Sequence, residues 1–332
     1  MVDGKSPITV FYWLTDELED AYKFKHFANY CTSVDIDLVR IDFDRLHSFL
    51  KMKNKVLFIH KINQLLWKTN VDDVENAWRG LSKFKQWTAA NPQTIDIVDH
   101  WENTQILMNR FEMSLAIETA FSKLDKNQFF VVPFVQLVDQ NKALEQLSTN
   151  GINHFPIICK PIKSNSHHIS IVTCRDGLKN VPFPCIAQSF IDHNKSIFKM
   201  YILGEKLFCF ETNSLPDSCQ LMTSFGTTIH FNSLNIDHDF DSTTKTIPCR
   251  LKRPSDENFQ LLATNLRKTL KMDMFGADVI VDSNTGRLAC VDINAFPSYK
   301  VVPNFFKELS NFLKKRWQNM VPSESELPFF IN

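Results

Sequence analysis

Two acids and an amide stand out by their spacing. Asp292 and Asn294 lie two apart in the apolar run RLACVDINAF, and Asp278 lies in the preceding run GADVIVD. Alternation along a strand sends residues two apart to one face. Asp-Ser-Asn-Thr-Gly at 282–286 supplies a turn between the runs, which sets Asp278 opposite Asp292. Three oxygen donors then converge on one side of a two-stranded ribbon. A few hard oxygen ligands, completed by phosphate and water, suit Mg²⁺. Two such ions can bridge a triphosphate and neutralise charge that develops in phosphoryl transfer. The competing reading is a solvated strand face with two acids. Apolar strands seldom hold Asp and Asn among Ile, Val and Cys without a partner, which argues against it.

Two lysines belong to the same chemistry. Lys160 closes the apolar run FPIICK, and Lys199 lies within SIFKMYILGE. An ammonium at a strand end beside a cleft grips phosphate as a point charge. Taken singly, each lysine is equally a stem lying on the surface with its head in water. Glycine sharpens the choice. There are eight in 332 residues, against a usual content of roughly 7%. The chain has no G-x-G-x-x-G and no Walker A sequence. A nucleotide bound here would be held by lysines and metal ions, and not by a glycine-rich loop.

The elements that must position these groups follow from periodicity. Residues 8–14 and 55–60 read as buried strands, 34–42 as an alternating strand, and 16–31 and 72–90 as helices, with Asn-Pro-Gln at 91–93 as a break. Strand–helix alternation of this kind predicts a small α/β domain with a parallel sheet over 1–100. A helix over 102–121, a strand in VVPFVQLV and a helix over 139–149 open a central section, 101–190. Its runs 155–162, 168–173 and 184–191 read as an antiparallel sheet. A last section, 191–320, begins with a hairpin turning at Gly204-Glu205. It continues with a polar surface loop over 211–247, a helix over 255–271 capped by Ser255, the Asp278–Asp292 hairpin and a helix over 303–317. Residues 321–332 read as a tail.

Composition narrows the partners. With 37 basic and 37 acidic side chains the formal charge is zero, so charge predicts neither nucleic acid nor membrane as a partner. Eight cysteines lack C-x-x-C spacing, which speaks against zinc and for reduced thiols. Several, such as Cys159, Cys209 and Cys290, sit in apolar runs. No window approaches the roughly 20 apolar residues of a membrane span, and the stretch from Ile8 to Leu14 lacks the flanks of a signal peptide. The expectation is a cytoplasmic monomer acting on small molecules.

The segment GADVIVDSNTGRLACVDINAFPSY resembles the metal-binding end of the inositol 1,3,4-trisphosphate 5/6-kinases, also called inositol-tetrakisphosphate 1-kinases. The acid, then acid-x-Asn pattern is general to ATP-grasp enzymes, and DINAFP is particular to this family. PCIAQSFIDHNKSIFKMYILGE resembles the family's hinge and following hairpin, and the likeness runs from about residue 8 to 315. The resemblance implies an ATP-grasp fold behind the N-terminal domain. It implies ATP and two Mg²⁺ as co-substrate and cofactor, and an inositol tris- or tetrakisphosphate as acceptor. Asp278, Asp292 and Asn294 would bind magnesium, with Asn294 also near the inositol. Lys160, Lys199 and Asp292 would carry catalysis. Lys160, Lys199, Arg110, Gln188, Ser189, Phe190, Ile191, Ser214 and Ser233 would hold the nucleotide. His167 in Asn165-Ser166-His167, together with Lys199, Ser298, His60 and Lys61, would face the inositol phosphates, although His60 and Lys61 equally suit a strand-end contact with a helix.

The departures from the family pattern fall on the inositol side. Leu18 stands where the family has lysine, between Glu17 and Glu19, and acids there would repel a polyphosphate. The loop after Lys160 is about three residues shorter than in the family and lacks its glycine. Thr212 replaces an arginine and Ser298 a glycine. Two alternatives remain at this level: an ATP-grasp ligase with another acceptor, and a degenerate protein that binds nucleotide or inositol phosphate without turnover.

Overall fold

The computed structural model describes residues 8–41, 55–67, 71–92, 94–224, 226–234 and 253–320. The strands are β1 Ile8–Trp13, β2 Ile36–Arg40, β3 Val56–His60, β4 Ile95–Val98, β5 Phe134–Leu137, β6 Ile157–Pro161, β7 His168–Val172, β8 Cys185–Ser189, β9 Ser196–Leu203, β10 Lys206–Asn213, β11 Thr228–Asn232, β12 Met274–Val281 and β13 Leu288–Ala295. The chain divides into two compact units. The first holds the residues up to Trp101, Met272–Met274 and those from Phe296 on, and the second holds the rest.

In the first unit β2-β1-β3-β4 form a sheet with every pairing parallel, as the strand–helix alternation predicts. β3 is buried along its whole length, as a strand covered on both faces must be. Phe58 on β3 meets Phe84 at 4.8 Å and Trp87 at 6.2 Å between ring centres, both from the helix Val71–Ala90. The helix expected over 16–31 is two helices, Asp16–Ala21 and Phe24–Thr32. Lys23 breaks it with φ 55, the left-handed region that a helix cannot pass through. The helix Phe305–Gln318 sets Phe306 against Phe27 at 5.4 Å.

The second unit has two sheets, ordered β11-β7-β6-β8-β5 and β10-β9-β12-β13. All pairings in the first of these are antiparallel. Behind the other sheet lies the helix Asp256–Leu270, capped by Ser255, whose Oγ accepts from Asn258 N at 3.3 Å. Phe259 of this helix meets Phe198 of β9 at 5.1 Å. Alternation along β9 buries Phe198, Met200 and Ile202 on that side. Lys199 and Tyr201 are thereby turned to the opposite face.

Two further expectations need correction. The helix over 102–121 is interrupted at Asn109, whose Oδ1 accepts from Phe111 N at 2.9 Å and Glu112 N at 3.4 Å and starts a new helix, Arg110–Phe121. The stretch read as a loop over 211–247 contains the helix Ser218–Ser224 and strand β11, which pairs with β7. A five-residue edge strand buries too little to mark itself by periodicity. The remainder of that stretch, and the expected tail 321–332, lie outside the described residues. Among the described residues, no helix is long and apolar enough to cross a membrane.

Candidate active site

The β12–β13 hairpin carries the two acids and the amide. Asp282 anchors its turn by accepting from Asn284 N at 3.0 Å and Thr285 Oγ1 at 2.5 Å, and Gly286 reverses the chain at φ 72. This turn sets Val281 against Leu288, Ile280 against Ala289 and Val279 against Cys290. Continued unchanged, the ladder would pair Asp278 with Val291. It slips by one residue instead, and Asp278 pairs with Asp292, Ala277 with Ile293 and Gly276 with Asn294. Val291 is the surplus residue of a β-bulge. Asp278, Asp292 and Asn294 therefore share a face, and the glycine opposite Asn294 puts no side chain over its amide.

Lys160 reaches this bulge from the neighbouring sheet. Its Nζ donates to the Val291 carbonyl at 3.0 Å, and the side chain is only 8% exposed. Burial pushes the Lys160 pKa down, against the pull of Asp292 and Asp278. Burial pushes Asp278 up to about 6. Lys199 and Lys160 lower it, and the like charge of Asp292 raises it. Two cations and two anions thus act on one another. Among the described residues, none of the four is closed into an ion pair with another. Nor do three His, Cys, Asp or Glu side chains gather anywhere among them to hold a metal. A cation here would take two carboxylates and an amide, the sparse hard-oxygen set that suits Mg²⁺ with phosphate and water completing the shell.

Farther along the same face the lining turns apolar. Ile280 and Ala289 pack with Val132, and Phe130, Ile191, Ile197 and Val291 join them partly buried. Gln188 is buried, and the segment after it is tied by Ser189 N to Pro133 O at 3.0 Å and Phe190 N to Pro156 O at 3.2 Å. Ser214 Oγ bonds His193 Nε2 at 2.8 Å, while His193 Nδ1 donates to Ile191 O at 2.6 Å. A carbonyl only accepts, so the proton sits on Nδ1 and Nε2 accepts from the serine. Burial lowers the His193 pKa, in keeping with a neutral ring. Asp192 accepts from Ser218 N and Ser218 Oγ, each at 2.6 Å. The partners of His193 and Asp192 were not legible in the sequence, because nothing in local spacing announces a contact 21 or 26 residues away. Tyr201 was missed too. It shares the Lys199 face, and burial and the Asp278 charge raise its pKa.

His167 is exposed and near Ser233, whose N donates to His167 O at 2.9 Å and whose Oγ lies 3.4 Å from His167 Nδ1. Burial and the Arg110 charge lower its pKa. Arg110 itself is 4% exposed, and its guanidinium is spent on backbone. Nη1 donates to Pro161 O and Lys163 O, both at 2.9 Å. Nη2 donates to Ser166 O at 2.9 Å and to Ser164 O at 3.3 Å.

The remaining expected residues, His60, Lys61 and Ser298, belong to the first unit. His60 makes no basic pair with Lys61. Its ring lies in the core against Phe58 and Phe84, its Nδ1 accepts from Ile62 N at 3.3 Å, and burial pushes its pKa down to about 3. Lys61 donates to Tyr22 Oη at 2.9 Å and Phe296 O at 3.1 Å, and burial brings its pKa down to about 8. Ser298 Oγ is buried without a partner among the described residues. Three of the acids around Leu18 are less repulsive than their sequence implies. Glu19 accepts from Tyr12 Oη at 2.9 Å and Arg40 Nη1 at 2.6 Å. Asp16 pairs with Arg40 at 2.5 Å and Asp20 with Lys25 at 3.2 Å.

Comparison with known proteins gives a consistent result. The chain is 29% identical over 314 residues to the inositol-tetrakisphosphate 1-kinase of Xenopus laevis, covering 92% of this chain and 78% of that one. It is 26% identical over 293 residues to inositol-tetrakisphosphate 1-kinase 1 of Arabidopsis thaliana, covering 83% and 85%. Among solved structures, a RiPP-associated ATP-grasp ligase from Chryseobacterium gregarium in complex with ADP matches with a TM-score of 0.55. At 13% identity, and with 96% and 98% of the two chains covered, that likeness shows the fold alone. The profile described as the inositol 1,3,4-trisphosphate 5/6-kinase ATP-grasp domain matches residues 123–315. With more than half its length matched, this chain belongs to the inositol 1,3,4-trisphosphate 5/6-kinase family.

Proposed function

We propose that this chain is an inositol polyphosphate kinase that moves the γ-phosphate of ATP to a ring hydroxyl of an inositol tris- or tetrakisphosphate. One observation carries the reading: Asp278 and Asp292 stand opposite each other on one strand face, within the electrostatic reach of Lys160 and Lys199. Magnesium, taken as two ions, would be held by Asp278, Asp292 and Asn294, and supplies charge neutralisation along the triphosphate when bound.

The rest is the work of the protein. Lys160 and Lys199 offer ammonium donors to phosphate oxygens from two different sheets, and an ion at Asp278 and Asp292 would draw those oxygens to the same place. The apolar patch of Ile197, Ile280, Ala289 and Val291 suits the flat face of a base, with the backbone of Gln188, Ser189, Phe190 and Ile191 beside it. Catalysis of this kind is positioning and electrostatics, with no covalent protein intermediate required. His167, Asn294 and Lys199 are the second-unit side chains assigned to the acceptor. His60, neutral and enclosed, is left out of that set. The seven cysteines among the described residues are free thiols, which supports a cytoplasmic setting, and we read the chain as a monomer.

Incubation with Mg-ATP and a set of inositol tris- and tetrakisphosphates, followed by separation of the products, tests the proposal. A new phosphorylated inositol is the expected result. ATP turnover only with carboxylate or amine acceptors would point to a ligase instead, and no turnover with retained binding to a degenerate member.

A further inference from the structure

Strand β13 is the outer strand of its sheet, so every second residue along it turns its backbone N–H and C=O away from β12. At the turn end the main chain covers these groups. Phe130 N donates to Leu288 O at 3.0 Å, and Leu288 N to Gln128 O at 2.8 Å. At the end that carries the acid and the amide, side chains cover them instead. Lys160 Nζ donates to the Val291 carbonyl at 3.0 Å, and the Ile293 amide donates to the thioether Sδ of Met113 at 3.3 Å. These two groups flank Asp292. Ile293 lies between Asp292 and Asn294, and its amide belongs to the peptide bond that leaves Asp292. Met113 is 1% exposed and Ile293 2%, so water does not compete for this hydrogen bond. A thioether is a weak acceptor, but a buried N–H with no acceptor at all is costly.

We infer that Met113 is a positioning residue for the metal-binding strand: its thioether takes the edge amide of Ile293 and so fixes where Asp292 and Asn294 stand relative to Asp278. The inference rests on the kinase reading for its consequence on magnesium and on geometry alone for the hydrogen bond. A strand bends most easily at a bulge, and the surplus residue here, Val291, directly precedes Asp292. Held by Lys160 on one side of Asp292 and by Met113 on the other, the strand keeps one course past the bulge. Met113 owes its place to the helix Arg110–Phe121, whose start Asn109 fixes by accepting from Phe111 N and Glu112 N. Arg110 and Met113, three apart, share the buried face of that helix, one meeting the 161–166 loop and the other β13.

The test compares Met113→Leu and Met113→Gln with the unaltered chain. Leucine keeps the volume and removes the acceptor, and glutamine returns an acceptor oxygen at similar reach. Hydrogen exchange on the metal- and nucleotide-free protein is the first measurement. Met113→Leu is expected to lose protection at the Ile293 amide while the amides of β6 and β8 stay protected, and Met113→Gln to regain it. Calorimetric titration of Mg²⁺ in the presence of a non-hydrolysable ATP analogue is the second. Met113→Leu is expected to bind Mg²⁺ roughly 10-fold more weakly, the scale on which groups that support a metal ligand act. In turnover the half-saturating Mg²⁺ concentration should rise by the same factor, with kcat at saturating Mg²⁺ unchanged. Unchanged exchange at Ile293 would overturn the inference outright, and lost protection with unaltered Mg²⁺ affinity would overturn the positioning role. A lower melting temperature with equal losses in Mg²⁺ affinity and kcat would overturn it in favour of general loosening, as would a Met113→Gln variant no better than Met113→Leu. If the unaltered chain binds no Mg²⁺ beside the analogue, the kinase reading fails and takes the magnesium consequence with it, while the exchange result still decides the hydrogen bond.

Discussion

The two units handle charge in opposite ways. In the first, the buried ionic groups among the described residues are answered by the protein. Arg316 reaches Asp96 through Nε at 2.5 Å and Nη2 at 2.8 Å, and Asp273 through Nη1 at 2.6 Å. Asp99 accepts from Asp273 N and Met274 N, Glu19 from Tyr12 and Arg40, and Lys61 donates to Tyr22 and Phe296. In the second unit, Lys160, Lys199 and Asp292 all act on buried Asp278, and yet the four do not pair off. Buried charge is costly unless matched, so a fold that leaves matches open at one place and closes them elsewhere marks that place for a ligand.

The largest effect should come from Asp292→Ala. Turnover is expected to fall by about three orders of magnitude or more, since one metal position and its electrostatic stabilisation are lost. The metal-free protein should melt close to the unaltered chain, because losing a like charge facing buried Asp278 is offset by losing a counter-charge of buried Lys160. A large loss of melting temperature would show that this acid is structural, and the contrast between the units would collapse. Lys160→Met comes next, with kcat down by roughly 100-fold. It should also cost about 1–3 kcal/mol in urea unfolding, because the Val291 carbonyl loses its donor.

Arg316→Met tests the other side. Its side chain is 23% exposed and bridges two acids, so a loss of about 1–3 kcal/mol is expected, between the values for exposed and buried pairs, at unchanged kcat. A fall in kcat at unchanged stability would blur the distinction. His60→Phe is the subtlest. The folded pKa of about 3 lies below the ordinary 6.5, so the contribution of His60 is fully present above pH 6.5 and fades as pH falls towards 3. The unaltered chain should lose about 2 kcal/mol from this group between neutral pH and pH 5. His60→Phe should flatten that part of a denaturant-midpoint curve against pH. Equal slopes would mean that His60 is not enclosed as described.

Much of this was legible in the residues. Two-residue alternation was enough to bring Asp292 and Asn294 to one face, and the apolar run of β3 announced a strand covered on both sides. The Val291 bulge was not legible, because alternation assumes an unbroken ladder. The opposition of Asp278 and Asp292 was read from a turn centred near 284–285, whereas the observed turn alone would have failed to produce it. The family resemblance places Arg110 at the nucleotide, and what it leaves unread is the four backbone acceptors 51 to 56 residues away. His60 and Lys61, adjacent in the chain, looked alike as bases. Burial separated them, leaving one neutral among rings and the other an ammonium with two partners.

The bulge has one more consequence, visible in how positions are numbered. Ala289 faces the same way as Asp292 and Asn294, although one number is odd and the others even. The parity of the strand changes at Val291. Upstream, odd positions supply the greasy half of the surface, and downstream, even positions supply the acidic half. A single residue thus joins two kinds of lining into one continuous surface. A substitution at 291 can alter its texture, but only a change in chain length can put the halves out of step.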